Sequence, residues 1–325
     1  MGAHLGFFDV MAAPLLVALL FSSVLSYLGV HVIRRQVIFV DLALGQVAAL
    51  GASVGFLFGI DPTSPGAYLF SLCFAVVAAA IFAVTRPRGG PIPHEAVIGL
   101  VFVAASAATY LVVDRSPHGA EHVQDVLTGT VLWTTWGALR WVTIVVVVAA
   151  LLLLPFHRRL RDLSSEEGDE NATVRAVGWD FLFYAIFGLI ISVTVRTIGV
   201  LPTFGMLVAP AILGCLVASR FGAQFAIAIA ASAVASVAAL LVAWRLDLPG
   251  GPPLVLGQGL VLLGGALVLY LVRAEARGRA LTRLVVGSVV AALVVLIIVL
   301  GGRKLARMSW SNPDLSENTS SEAPL

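Results

Sequence analysis

The segment Pro117-His118-Gly119-Ala120-Glu121-His122-Val123-Gln124-Asp125 is the richest cluster of metal-ligating side chains in the chain. His118 and His122 are four residues apart, as are Glu121 and Asp125, and a helix over 120–132 would set Glu121 and Asp125 on one face. Imidazole together with carboxylate is a donor set for zinc, manganese or iron. The same residues also fit a polar loop that caps a helix, and both readings stand. A second polar pair, Asp41 and Gln46, lies at the start of an apolar run and inside it. Polar groups at such positions usually face a cavity or another helix. The neighbouring Gly45, Gly51 and Gly55 equally suit plain helix packing. A third feature is the polar stretch His157 to Trp179, the longest charged run between hydrophobic blocks. Within it Ser164-Ser165-Glu166-Glu167 has the spacing of a capping box. Asp169, Glu170 and Asn171 can start a short helix through Val177, with Gly178 taking the left-handed turn past its end. Such a helix would fit a groove on a partner, although a solvated loop reads the same way. Pro210, inside an apolar run, removes a ladder bond and predicts a kink or interruption near Gly205–Pro210.

The elements that hold these residues are set by composition. The chain has 325 residues, 59% hydrophobic and only 12% charged, with a mean hydropathy of +1.00. A soluble domain carries about 25% charged residues, so the chain is predicted to be an all-α polytopic membrane protein. About nine or ten spans are expected, near 12–33, 41–59, 66–85, 94–113, 138–156, 180–198, 200–219, 222–244, 254–272 and 284–301. Only Arg196 and Gly199 interrupt 180–219, so a full span followed by a broken one is an alternative there. Alternating loops collect Arg34, Arg35, Arg86, Arg88, Arg158, Arg159, Arg161, Arg175, Arg220, Arg273, Arg277, Arg279 and Arg283 on one face, against Arg115, Arg140, Arg196, Arg245, Arg303, Lys304 and Arg307 on the other. The positive-inside rule makes the first face cytoplasmic, the loop 157–179 included. Trp133, Trp136 and Trp141 form an aromatic belt at the opposite face. Residues 1–308 thus read as one membrane domain and 309–325, rich in Ser, Asn, Glu and Pro, as a disordered tail. Cys73 and Cys215 lie in apolar runs and read as packing residues. No basic leader or cleavage site is apparent, so no removable signal peptide is expected. The net charge of +2 gives no reason to expect nucleic acid.

Five motifs, in order, bring a resemblance into view. They are Arg34-Arg35 with the run Asp41 to Gly51, then Glu95-Ala-Val-Ile-Gly99, the loop ending Arg175-Ala-Val-Gly178, Gly199-Val-Leu-Pro-Thr-Phe-Gly-Met-Leu-Val-Ala-Pro210-Ala, and Asp247-Leu-Pro-Gly-Gly-Pro252. Together they resemble the metal-type ABC permeases, the membrane subunits of zinc, manganese and iron(II) importers. The resemblance covers about residues 10–272 and implies the type II ABC importer permease fold. It implies a homodimer, a separate ABC ATPase that uses the ATP, and an extracytoplasmic metal-binding protein that delivers the ion. It also implies that Glu170, Arg175 and Gly178 belong to the ATPase coupling segment, and that the second-span positions Asp41 and Gln46 lie on the path; a break at Pro210 would put the path near Gly205–Pro210 as well, and an ordinary kink fits it equally. The chain departs from the family at the second span. There the family carries an Asp and a His four apart, where this chain has Leu42 and Gln46, with Asp41 one position early. A glutamine amide is a poor zinc ligand, so the family's ligands do not transfer and the metal stays open.

No G-x-x-x-x-G-K-[ST] sequence occurs, so this chain has no Walker A site of its own, and no H-E-x-x-H marks an intramembrane protease. The expected role is therefore a non-enzymatic permease in the bacterial inner membrane, with a divalent metal as its substrate and no resident cofactor. The alternative is an ion-driven carrier of five-plus-five architecture, which would require acids buried in the spans. The span interiors hold few.

Overall fold

A computed structural model describes residues 7–60, 64–86, 93–113, 129–153, 155 and 174–273. Among these residues there are nine α-helices, one short 3-10 turn and no strand. The helices are α1 Phe7–Arg34, α2 Val40–Leu57, α3 Pro65–Thr85, α4 His94–Val113, α5 Trp136–Leu153, α6 Val174–Ile198, α7 Val200–Val217, α8 Phe221–Arg245 and α9 Gly251–Arg273. The 3-10 turn is Val131–Trp133. All nine helices are long and apolar enough to cross a bilayer. Each of the first nine expected spans corresponds to one of them, and the tenth, 284–301, lies outside the described residues, as do 61–63, 87–92, 114–128 and 156–173. The chain divides into two compact units, 1–266 and 267–325. The packing below is that of the first unit. Of the second, only the helical residues 267–273 are described.

Local chemistry sets the boundaries. Ser64 Oγ accepts the Ala67 amide at 3.4 Å with proline in the first turn, a combination that starts α3. At the end of α1, Val37 N donates to Val32 O at 3.3 Å and Gln36 N to Ile33 O at 3.2 Å. These are the paired bonds of a left-handed helix terminus, with Gln36 (φ 54°) where glycine is usual. Gly199, at φ 91°, takes a backbone conformation that only glycine adopts at low cost, and α7 begins directly after it. It resolves the 180–219 question: two complete helices, α6 and α7, meet at a single residue.

Three local expectations need correction. Gly178 does not end a short helix; α6 starts at Val174 and runs through it to Ile198. The start of a buried apolar helix outweighs the glycine signal, because one interior glycine costs only about 1 kcal/mol. The helix expected over 120–132 does not reach 129–132, where Gly129 is left-handed and the 3-10 turn follows. Of the kink or interruption expected at Pro210, the interruption is absent, since α7 continues from Val200 to Val217 with Pro210 inside it. Of the two cysteines read as packing residues, Cys73 is exposed and Cys215 half-buried.

Helix α2 packs on α3 and α4, and α3 packs on α6. Helix α1 packs on α7 and α8, which also pack on each other. Helix α6 touches α2, α5 and α7 and so joins the two groups. The core between them holds Phe21, Leu25 and Leu28 of α1, Leu44 of α2, Phe82 of α3, and Phe183, Tyr184 and Phe187 of α6, all fully buried. Hydroxyls inside the bundle fold back on their own helix, as when Thr194 donates to Ile190 O at 2.7 Å and Ser192 to Gly188 O at 2.7 Å. That satisfies a donor where no water is present. Across helices, Gln258 Nε2 of α9 donates to Ser236 Oγ of α8 at 3.0 Å, and Ser236 Oγ lies 3.2 Å from Ser22 Oγ of α1. The outward face of α9 is the reverse: Leu256, Leu260 and Leu263 are 67%, 69% and 68% exposed. Water would make that surface a liability, whereas lipid tails cover it at no cost.

Small residues set the closest approach. A Cβ at Gly29 of α1 would run into the Leu207 carbonyl of α7 and lie 3.0 Å from Ala211 Cβ. Neither backbone can yield without moving a helix. Gly29→Val is expected to lower stability by about 1–3 kcal/mol, the usual range for overpacking. A melting curve of the detergent-purified protein checks this, and an unchanged midpoint would show that α1 and α7 are not in fixed contact.

Candidate functional site

The arginine-rich helix ends meet in one polar network. Arg35, just past α1, places Nη1 3.0 Å from Asp180 Oδ1 in the second turn of α6. Arg86, at the end of α3, pairs with the same oxygen through its own Nη1. The Arg35 side chain is fully buried, and that of Asp180 nearly so. The Arg35 guanidinium also stacks 4.0 Å above the Phe183 ring. Burial pulls the Arg35 guanidinium below its ordinary value; Tyr184 and Asp180 oppose that pull, while the like charge of Arg86 adds to it. An arginine still stays charged, so among the described residues two cations, Arg35 and Arg86, share the one Asp180 carboxylate oxygen.

Around this core the other helix ends are tied in. Arg34 donates to Gln224 Oε1 of α8 at 2.9 Å, and Gln224 Nε2 donates to Ala218 O, past the end of α7, at 2.9 Å. Glu95 in the first turn of α4 accepts the Ile38 amide at 2.9 Å. It thus satisfies the lead-in to α2. His94 Nε2 lies 3.3 Å from Tyr184 OH of α6. His31 is 1% exposed and packs on Tyr27 and Phe221 at ring-centroid distances of 4.9 Å, so it is a core histidine. The ends of α1, α3 and α7 and the starts of α2, α4, α6 and α8 therefore converge at one face. Asp180 is six residues into α6, about 9 Å along its axis at 1.5 Å per residue.

Asp180 and Gln224 were not among the residues expected from sequence. The signal for Asp180 was available: it opens an apolar stretch in which no further Asp or Glu occurs until Asp247.

Of the expected path residues, Asp41 is 2% exposed in the first turn of α2. Neither of its carboxylate oxygens reaches a hydrogen-bond partner among the described residues. It lies in the first turn of α2, at the positive end of the helix. Gln46 is half-buried further along α2, and Pro210 is buried on α7. Helices α2 and α7 are in contact. Among the described residues, no group of three or more His, Cys, Asp or Glu converges to hold a metal ion. The mouth candidates His118, Glu121, His122 and Asp125 lie outside the described residues, as does Glu170. Arg175 is in the first turn of α6, and Gly178 is exposed on the same helix.

The model of the ABC 3 transport family matches residues 7–269. The chain belongs to this family. The chelated iron transport system membrane protein YfeC of Yersinia pestis is 23% identical over 257 residues, covering 79% of this chain and 85% of the relative. Among solved structures, PsaBC from Streptococcus pneumoniae, in complex with Fab, superposes with a TM-score of 0.67 at 18% identity, covering 84% of this chain and 95% of the other. The ABC 3 chain is thus an all-helical, multi-pass membrane permease of a metal ABC transporter. The sequence resemblance, the helix pattern and the family match agree on this.

Proposed function

We propose that this permease works as a homodimer in the bacterial inner membrane and imports a divalent metal, zinc, manganese or iron. A separate ABC ATPase supplies the energy, and an extracytoplasmic binding protein delivers the cargo. The observation that carries this reading is the Arg35–Asp180–Arg86 network, which gathers the ends of α1 and α3 onto the second turn of α6. Helix α6 begins where the polar stretch 157–173 ends. A partner that seizes this stretch, with Glu170, Arg175 and Gly178 in the coupling segment, would move α6 as a lever. Packed helices respond to such a push by rigid-body shifts between discrete arrangements. Asp41, Gln46 and Pro210 are assigned to the path between α2 and α7. His118, Glu121, His122 and Asp125 are assigned to the outer mouth as ligands that receive the ion.

The sidedness of the coupling stretch is directly testable. A single cysteine at Ser165, in a chain with Cys73 and Cys215 replaced by serine, is expected to resist a membrane-impermeant maleimide in intact cells. It should react once the inner face is opened in inverted vesicles, and binding of the ATPase should then protect it. Labelling from outside intact cells would place the stretch on the wrong face for an ATPase and remove the coupling role.

A further inference from the structure

Ser22 and Ser26 lie four apart on α1, and Ser232 and Ser236 four apart on α8, so each pair shares a helix face. All four are buried. Ser192 and Thr194 turn their hydroxyls onto their own helix, but among the described residues these four do not. Ser22 Oγ instead lies 3.2 Å from Ser236 Oγ, and Ser26 Oγ reaches no partner. Gln258, 1% exposed on α9, directs its amide nitrogen at α8. Nε2 lies 3.0 Å from Ser236 Oγ, 3.4 Å from Ser232 Oγ and 3.3 Å from Ser232 O. Its amide oxygen reaches no partner among the described residues. A second observation comes from α7. Gly205 is inside that helix, where glycine costs about 1 kcal/mol relative to alanine. Neither backbone nor packing requires it. Its φ is not in the left-handed region, and a Cβ there would lie 3.6 Å from Val255 Cα and 3.9 Å from Gln258 Cβ, both ordinary contacts. The bare face of Gly205 therefore leaves a methyl-sized gap against Gln258. Gln258 is about 10 Å along α9 and Gly205 about 8 Å along α7, counted from the ends remote from the arginine network, so the gap is inside the bilayer span.

The groups left over are one amide oxygen and serine hydroxyl hydrogens, an acceptor beside donors. That mixture suits water, which donates and accepts at once. It does not suit a bare divalent ion, whose lasting sites use carboxylate or imidazole. A transported ion must also leave each site it enters, and neutral oxygens hold it weakly enough to do so. We propose that the cluster of Ser22, Ser232, Ser236 and Gln258 is a mid-membrane station that the divalent cargo passes through its bound waters. Gln258 Oε1 accepts a hydrogen from those waters, and Gly205 leaves the room for one. The inference rests on the metal-permease reading and adds a station on α7, the helix that carries Pro210. The competing role is a latch that only ties α9 to α8 and α1, so the test separates transport from stability.

The permease is reconstituted with its ATPase in proteoliposomes and offered radiolabelled manganese(II), an ion that takes oxygen ligands. Gly205→Ala should keep or raise the melting midpoint, because alanine favours the helix and its methyl fits the gap. Its ATP-driven uptake should nevertheless fall about tenfold, the worth of one hydrogen bond to a charged group. Gln258→Leu should lower uptake by about as much. Gln258→Glu places a carboxylate at the station. Manganese(II) binding to this purified variant, read from the loss of the free-ion electron paramagnetic resonance signal, should be about tenfold tighter than in wild type or more, and its uptake should be slower. Wild-type uptake by Gly205→Ala, or wild-type manganese affinity in Gln258→Glu, would overturn the inference and leave the cluster as a latch. Should either Gln258 variant fail to fold, Gly205→Ala still decides, since it adds one methyl at contact distance. Those failures leave the permease reading intact, whereas a wild-type complex without ATP-driven uptake would sink that reading and this inference with it.

Discussion

Asp180→Ala is expected to destabilise the permease by about 3–5 kcal/mol, the usual cost of removing one partner from a buried ion pair. The reason is charge balance. Arg35 is fully buried against Asp180, Arg86 shares the same oxygen, and removing the carboxylate takes away the acceptor that both cations share. Asp180→Asn keeps the shape but offers only a neutral acceptor, so an intermediate loss is expected. Replacing all three members with apolar residues, Arg35→Met, Arg86→Leu and Asp180→Leu, should recover most of the stability, because a buried network exchanged for packed hydrocarbon is often neutral or better. Transport should not recover with it. The melting midpoint and metal uptake, measured on the same preparations, separate the two effects. If the triple variant transports as wild type, the network is scaffold only and carries no coupling.

Asp41→Asn is expected to act in the opposite sense on stability. A buried carboxylate whose oxygens reach no hydrogen-bond partner among the described residues costs folding free energy, about 1–3 kcal/mol for a polar group and more for a charged one. Neutralising it should leave the melting midpoint unchanged or raised. Uptake should nevertheless fall about tenfold or more, since a carboxylate retained at such a cost attracts a passing cation and an amide does so weakly. A lowered midpoint would make Asp41 a structural residue. Full uptake by the variant would remove it from the path.

The helices themselves were legible because each is an apolar run bounded by arginine, proline or glycine, and a bilayer fixes its length. The α6–α7 joint at Gly199 was ambiguous for a physical reason: one residue between two apolar runs states that the chain bends, and only the left-handed φ of 91° states that it starts a new helix. The network at the arginine-rich end was half legible. Arg34, Arg35 and Arg86 were visible as a charge bias, but their acceptors, Asp180 and Gln224, lie 145 residues from Arg35 and 190 from Arg34 in the chain. Such pairing is a property of helix packing and leaves no local spacing to read. Gly178 misled because a terminator signal was read without the apolar helix that follows it, and burial of that helix, with Phe183, Tyr184 and Phe187 at its centre, decides the outcome. Trp133 and Trp141 were read as an aromatic belt, and their place beside Arg196 depends on α3, α5 and α6 coming together.

The most direct test of ATP-coupled metal transport through this chain uses proteoliposomes that contain the permease with or without its ATPase. Radiolabelled iron, manganese and zinc are offered on the outer face, and ATP is supplied on the inner face. Uptake is expected only when the ATPase and ATP are both present, with Asp180→Asn slowing it and an ionophore leaving it unchanged. Uptake by the permease alone, driven by an ion gradient and abolished by the ionophore, would contradict the account.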